Sequence, residues 1–372
     1  MKRILIIISS LKLGGGAERV ASTLGTELNK KYEVHYLTFY QHENNYEFKG
    51  KHYCLNENFK QDIISKGIKL ISRAKKITSY CKKHKIDTCI SFMEAANFPT
   101  ILSKTLFGNR SKIIISERNN PLQQDKVSQK LIKILYNKAD LIVSVSKETE
   151  LILNKRFNVK KTKTIYNPID IKKINRLSKE IITEKKIFNK NDFYFINIGR
   201  LSEQKNQIYL IKAFKNIASK NIRLIILGEG HLRKELEHLI NKLNLQNNVL
   251  LLGNKKNIYP YLKKSNCFVM SSLYEGLPNT LIEAVSLNKY CISTDCKTGP
   301  REILFPELKV DEKIKYPYRN DNSVVIDVSK ENIIKQLEKE MKIALKYKKM
   351  KNNNNIKIFE KNKIIKEWEN VL

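Results

Sequence analysis

Three stretches in the second half of this 372-residue chain combine residue types suited to a phosphate-bearing ligand. The first runs Asn197-Ile-Gly-Arg-Leu-Ser-Glu-Gln-Lys-Asn-Gln. It begins at the end of an apolar strand, the edge at which parallel α/β sheets bind ligands. Arg200 and Lys205 converge there as two cations suited to a diphosphate. Two surface cations in an already basic protein are the plainer account. The second stretch is Leu227-Gly-Glu-Gly, in which Gly228 and Gly230 let backbone approach a ligand and aim amides at an anion. Gly199 and the run Gly14, Gly15, Gly16 occupy similar strand-to-helix junctions, where an ordinary tight turn is the alternative.

The third stretch is Leu273-Tyr-Glu-Gly-Leu-Pro-Asn-Thr-Leu-Ile-Glu-Ala. Pro278 suits the first turn of a helix, where its missing N–H costs nothing. The amides of Asn279, Thr280 and Leu281 are then expected as unpaired donors, aided by the helix dipole. Glu275 precedes that helix and Glu283 lies inside it. Were all the steps between them helical, the rise would separate the two by about 12 Å. Paired glycosidase carboxylates stand roughly 5–9.5 Å apart, so joint acid–base work on one bond is disfavoured.

Several chemistries find no support. Gly14–Ala17 is not a G-x-G-x-x-G fingerprint followed by an acid, and no G-x-x-x-x-G-K-[ST] loop occurs. The six cysteines form no C-x-x-C pair and the histidines are scattered, so no zinc framework is recognisable. Most of these cysteines sit in apolar stretches, as small hydrophobes of a reduced, cytoplasmic protein do. No apolar run reaches the roughly 18–20 residues of a membrane span, and the opening apolar core is too brief for a signal peptide.

The elements that must position these residues alternate. Arg3–Ile8, Val34–Phe39, Thr88–Phe92, Lys112–Ser116, Leu141–Val145 and Lys163–Ile165 read as strands, with helices between them. The alternation restarts with strands at Phe193–Ile198, Arg223–Leu227, Val249–Leu252, Cys267–Met270 and Cys291–Ser293. Such alternation predicts α/β architecture, with two Rossmann-like, doubly wound domains facing across a cleft. We expect a first domain over residues 1–170, a polar linker over 171–191, a second domain over 192–350, and a closing segment, 351–372, that returns to the first domain.

The formal charge of +33, from 70 Lys+Arg against 37 Asp+Glu, is either compositional surplus or a functional surface. Between Lys49 and Lys85 there are eleven Lys/Arg and two acids, Glu57 and Asp62. Ile64, Ile68, Ile71, Ala74 and Ile77 recur there at helical spacing. A basic amphipathic helix can lie on an anionic leaflet, whereas no nucleic-acid-binding motif is present. The 49–85 region is therefore expected to face a membrane surface and not nucleic acid.

Gly15-Gly-Ala-Glu-Arg, Gly199-Arg-Leu with Lys205-Asn, Leu227-Gly-Glu-Gly, and Glu275-x7-Glu283 together resemble the GT4-type family of retaining glycosyltransferases. The resemblance spans nearly the whole chain. Ile115-Ser-Glu-Arg-Asn-Asn and Ser293-Thr-Asp-Cys-Lys-Thr-Gly-Pro-Arg-Glu-Ile also resemble bacterial polysaccharide and lipid-linked-oligosaccharide transferases, α-1,4-N-acetylgalactosaminyltransferases among them.

The resemblance implies a GT-B fold, with the sugar nucleotide in the second domain and the acceptor in the first. On it, Arg200 and Lys205 stabilise the leaving diphosphate, Glu275 bonds donor-sugar hydroxyls, and the amides near Asn279–Leu281 hold phosphate. Glu283 takes the ribose hydroxyls, and Gly15 and Gly16 let the first loop approach donor or acceptor. Several relatives carry a His where this chain has Glu117-Arg118-Asn119-Asn120, so Glu117, Arg118 and Asn120 are acceptor-side candidates without a settled role. The absence of a D-x-D motif agrees with a transferase needing neither metal nor other cofactor. The expected donor is UDP-linked GalNAc or another hexosamine. The expected acceptor is a lipid-linked glycan at the inner face of the cell membrane. A sugar-nucleotide epimerase on the same fold and a non-catalytic basic binding module are the alternatives.

Overall fold

The computed structural model describes residues 1–57, 63–182, 184, 187–329, 332–346 and 354–372. Lys60 and Asp62 of the basic region therefore lie outside the described residues, as do 183 and 185–186 of the expected linker and 351–353 of the closing segment. The chain divides into two compact units, Met1–Pro168 with Lys361–Leu372, and Ile169–Glu360.

The first unit is built on the strands β1 (Arg3–Ile8), β2 (Glu33–Thr38), β3 (Lys51–Cys54), β4 (Thr88–Phe92), β5 (Lys112–Glu117), β6 (Leu141–Ser144) and β7 (Thr162–Thr164). They pair in parallel in the order β3-β2-β1-β4-β5-β6-β7. Its helices are α1 (Gly16–Leu28), α2 (Ile63–His84), α3 (Glu94–Phe107), α4 (Lys126–Leu135) and α5 (Lys147–Phe157). The central strands β1, β4, β5 and β6 are near-continuous apolar runs because both faces are covered. Leu5, Ile7, Ile113 and Ile115 face a core shared with α2, α3, α4 and α5. Ile4, Ile6 and Ile114 face the opposite core, shared with α1, as the two-residue period of a strand requires.

The second unit opens with α6 (Ile171–Leu177). Its strands are β8 (Phe193–Ile198), β9 (Ile222–Leu227), β10 (Val249–Gly253), β11 (Cys267–Met270), β12 (Tyr290–Thr294), β13 (Tyr318–Arg319) and β14 (Ser323–Ile326). Their order is β10-β9-β8-β11-β12-β14-β13, parallel except for the β13–β14 pair. Helices α7 (Gln207–Lys215), α8 (Arg233–Lys242) and α12 (Ile333–Ala344) share a core with one face of this sheet. Between α8 and α12 come α9 (Tyr259–Lys264), α10 (Asn279–Ser286) and α11 (Pro300–Leu304). The last helix, α13 (Lys361–Glu369), belongs to the first unit, where its buried Trp368 lies 6.2 Å from the Phe92 ring.

Three expectations change. Part of the 171–191 linker is ordered: Asp170 caps α6 by accepting the Lys173 amide at 2.9 Å, and Ile174 is buried. A seven-residue helix with one buried apolar residue has too little periodicity to read. The exposed edge strand β3 was also not foreseen, since its four residues alternate no hydrophobic pattern. In α2 the isoleucines do not form one buried stripe. Ala74, Ile77 and Cys81 are buried, while Ile68 is 66% and Ile71 44% exposed; the Ile64 side chain is outside the described residues. Arg73 leaves the cationic face altogether. It is buried, pairs with Glu57 at 2.7 Å, and lies 4.0 Å from the Phe39 ring centroid.

Candidate active site

The order of the second sheet reverses between β8 and β11, and in such sheets ligands bind beyond the carboxyl ends of the strands at that point. Gly199 and Arg200 follow β8, and Ser271–Gly276 follow β11. These two loops are tied together. The Leu273 amide donates to the Gln204 carbonyl at 2.8 Å, Ser271 Oγ donates to the Lys205 carbonyl at 2.8 Å, and Gln204 Nε2 donates to the Tyr274 carbonyl at 2.9 Å. The structure brings Lys205 and Glu275 into direct contact, Nζ to Oε1 at 2.5 Å. Glu275 is buried, whereas Arg200 is exposed and its guanidinium pairs with none of the described residues. A Cβ at Gly199 would lie 3.3 Å from Lys205 Cδ, so glycine there leaves room for the lysine stem.

The glycines of the second stretch pack against the first. A Cβ at Gly228 would meet the Gly199 carbonyl oxygen at 2.0 Å, and one at Gly230 the Leu201 carbonyl oxygen at 2.1 Å. Their backbone packs directly on the loop that carries Arg200. They thus shape that loop from behind, as glycine allows where two backbones meet.

α10 starts at Asn279 with Pro278 as its cap residue. The Leu281 amide is not an open donor: it donates to the Pro278 carbonyl at 3.1 Å, because the first turn tightens to an i→i+3 bond. Glu283 is buried and accepts from the Tyr259 hydroxyl at 3.1 Å. Only the second half of the Glu275–Glu283 interval is helical, since α10 begins four residues after Glu275. Thr298, which sequence reasoning missed, donates from Oγ1 to the Glu275 carbonyl. It has φ 73°, and Gly299 after it has φ 99°. No motif announces such a strained turn apart from the Thr-Gly-Pro run itself.

In the first unit, Gly15 and Gly16 open α1 just beyond β1. A Cβ at Gly15 would fall 1.8 Å from Glu18 Oε2. The protein's own carboxylate therefore lies against this turn, where a ligand anion was expected.

The acceptor-side candidates lie at the end of β5 (Glu117) and directly after it (Arg118, Asn120), and all are buried. Glu117 Oε1 accepts the amides of Arg118 at 3.1 Å and Asn119 at 3.2 Å, and its Oε2 accepts from the Tyr136 hydroxyl at 2.6 Å. Arg118 donates to Ser116 Oγ at 3.2 Å and to Asn167 Oδ1. Burial pulls its guanidinium down to about 9, opposed by the Glu117 charge. The Glu117 carboxyl is held well above the usual range by burial and then by the charge of Glu94. Burial raises Glu94 as well. Asn120 Oδ1 accepts the Leu122 amide at 3.0 Å, while its Nδ2 is buried with no partner among the described residues. Glu94 and Tyr136 were missed because neither lies in a recognisable motif. Among the described residues no cluster of His, Cys, Asp and Glu suits a metal ion, and no helix is long and apolar enough to cross a membrane.

Two seven-stranded, largely parallel sheets, each with its polar cluster at the strands' carboxyl ends, define the GT-B class of glycosyltransferase fold. Solved structures agree. Sucrose-phosphate synthase from Thermosynechococcus elongatus matches with a TM-score of 0.80 at 14% identity, over 100% of this chain and 98% of that one. Anabaena Alr3699/HepE in complex with UDP matches at 0.71 and 18%, over 100% and 99%. Residues 14–173 match the model of Glycosyltransferase Family 4, and 178–357 that of Glycosyl transferases group 1. An uncharacterized glycosyltransferase of Methanocaldococcus jannaschii is 41% identical over 92% of both chains. A Campylobacter jejuni N-acetylgalactosamine-N,N'-diacetylbacillosaminyl-diphospho-undecaprenol 4-alpha-N-acetylgalactosaminyltransferase is 33% identical over 86% of this chain and 93% of its own. The chain belongs to the group 1, family 4 glycosyltransferases, a family of retaining enzymes.

Proposed function

We propose that this enzyme moves a sugar from a UDP-linked donor, held by the second unit, to a lipid-linked glycan held by the first. The reaction belongs to surface polysaccharide or oligosaccharide synthesis at the inner face of the membrane. The observation that carries the reading is the Lys205–Glu275 contact beside the exposed Arg200, at the reversal point of the second sheet. Arg200 and Lys205 offset the charge that grows on the departing diphosphate. Glu275 and Glu283 accept hydroxyl hydrogen bonds from the donor sugar and the ribose, a carboxylate having two acceptor oxygens for the purpose. Asn279 and Thr280 hold phosphate at the start of α10. GalNAc or another hexosamine is the donor sugar that the Campylobacter relatives support, since two of them bear GalNAc transfer in their names. The exposed Ile68 and Ile71 with exposed Lys75, Lys76, Lys82 and Lys83 form the part of α2 that meets the anionic leaflet.

The test is thermal shift with UDP, GDP and ADP on wild type and Arg200→Ala. A ligand at 100 times its Kd adds about 2.7 kcal/mol of stability. A UDP-selective shift that Arg200→Ala abolishes is the expected result. No shift with any nucleotide would remove the donor-site assignment.

A further inference from the structure

We propose that Glu94 is a positioning residue for the acceptor, acting with Glu117 to hold both ends of the loop that presents Arg118 and Asn120. The proposal rests on the reading of the first unit as the acceptor-binding half.

The first sheet reverses between β1 and β4, and Glu94 stands two residues beyond β4, so it lies at that sheet's own ligand-binding edge. The residue before it, Met93, has φ 71° and ψ 158°, a conformation that only glycine adopts freely. The Met93 amide donates to the Ser116 carbonyl at 3.1 Å, which pins the strained turn to β5 directly before Glu117. Strain of this kind persists only where the surroundings over-determine it, and it gathers at functional sites.

The loop from Arg118 to Gln124 hangs from the two carboxyls. Glu117 accepts the amides of Arg118 and Asn119 at one end. Glu94 accepts from Gln124 Nε2 at the other. Between these anchors, Asn120 spends its oxygen on the Leu122 amide, leaving its buried Nδ2 without a partner among the described residues. A buried donor left unmade is costly, and a sugar hydroxyl or phosphate oxygen of the acceptor would satisfy it. Burial raises both carboxyls above the usual range, and the charge of Glu94 raises Glu117 further, so the two anchors are coupled electrostatically. Tyr136 and Asn97 close the arrangement, with Asn97 Nδ2 donating to the Tyr136 hydroxyl at 3.3 Å and Ser91 Oγ donating to Asn97 Oδ1 at 2.8 Å.

The experiment compares Glu94→Ala and Glu94→Gln with wild type in steady-state transfer to an undecaprenyl-diphosphate-linked oligosaccharide. It is paired with amide hydrogen exchange at Arg118, Asn119 and Leu122. Glu94→Ala should raise the acceptor KM about tenfold while leaving the donor KM and the UDP thermal shift unchanged. Exchange at the three amides should quicken by about the same factor. Glu94→Gln keeps an acceptor oxygen for Gln124, and should restore both readouts to within about twofold of wild type. Equal behaviour of the two variants, or a fall in kcat with the acceptor KM unmoved, would overturn the proposal. If wild type itself neither transfers nor binds UDP, the functional reading fails instead. The exchange rates then decide whether Glu94 holds the loop.

Discussion

The ammonium of Lys205 lies 2.5 Å from a carboxylate oxygen of Glu275, although 70 residues separate them in the chain. The contact joins the loop after β8 to the loop after β11, and the lysine stem runs along the bare backbone of Gly199. Arg200, five residues earlier, is exposed and unpaired among the described residues. The two cations of this loop thus differ physically. On the donor site proposed above, one is already ordered, so little side-chain entropy remains to be lost when a diphosphate arrives; the other must be recruited by the ligand.

That difference predicts different mutants. Lys205→Ala leaves a buried carboxylate without its cation, a situation that destabilises folded proteins. It should lower the Tm of the unliganded protein and reduce kcat by about 10²–10³-fold. Arg200→Ala should leave the unliganded Tm alone and lower kcat and UDP affinity. Differential scanning fluorimetry beside a coupled UDP-release assay separates the two. Equal Tm values for both variants would refute the distinction.

Gly228→Ala and Gly230→Ala should each damage the site without touching a ligand. Each added methyl meets a carbonyl oxygen of the Arg200 loop at 2.0 or 2.1 Å, and overpacking of this order costs about 1–3 kcal/mol. The loop must retreat, so the UDP-induced thermal shift should shrink together with the Tm. A full UDP shift in a destabilised protein would show that the glycines serve packing alone.

What the sequence could and could not reveal follows from the range of the interactions. The strand ends were readable because buried parallel strands are uninterrupted apolar runs: Arg3–Ile8, Thr88–Phe92 and Phe193–Ile198 fall where expected. Arg200, Lys205, Glu275 and Glu283 stood out by type and spacing within single stretches. The Lys205–Glu275 contact did not, because it depends on which strands become neighbours. Glu94 was hidden for the same reason, since its partners Glu117 and Gln124 come from elsewhere in the chain. Arg73 looked like one more surface cation, and only the fold places Glu57, Tyr40 and Phe39 around it.

Glu117→Gln tests the state of the buried carboxyl pair through pH. Burial, and then the charge of Glu94, raises the folded pKa of Glu117 above its ordinary value of 4.5. The folded protein therefore holds this proton more tightly than the unfolded chain does. The associated stability is complete below about 4.5 and is lost as pH climbs from there toward the raised value. Glutamine stays neutral and still accepts the Arg118 and Asn119 amides. Relative to wild type, the Tm of Glu117→Gln should rise between pH 5 and pH 8. A constant difference across that range would show that Glu117 does not titrate in this way.

The leaflet-binding role proposed for α2 can be tested against its own structural exception. Lys75 and Lys76 are exposed, as are Ile68 and Ile71, whereas Arg73 on the same helix is buried against Glu57. Each cation near an anionic surface contributes about 1 kcal/mol. Lys75→Ala with Lys76→Ala should therefore weaken binding to phosphatidylglycerol vesicles about thirtyfold, with the loss diminishing as added salt screens the surface. Ile68→Ser with Ile71→Ser should weaken binding at every salt concentration, because burial of apolar surface in the interface is not screened. Arg73→Ala breaks a buried pair and should lower the Tm while its folded fraction binds vesicles as wild type does. If Arg73→Ala weakens vesicle binding as much as the double lysine variant, α2 meets the membrane by a face other than the exposed one. If none of the variants changes vesicle binding, the charge of this region has no membrane role.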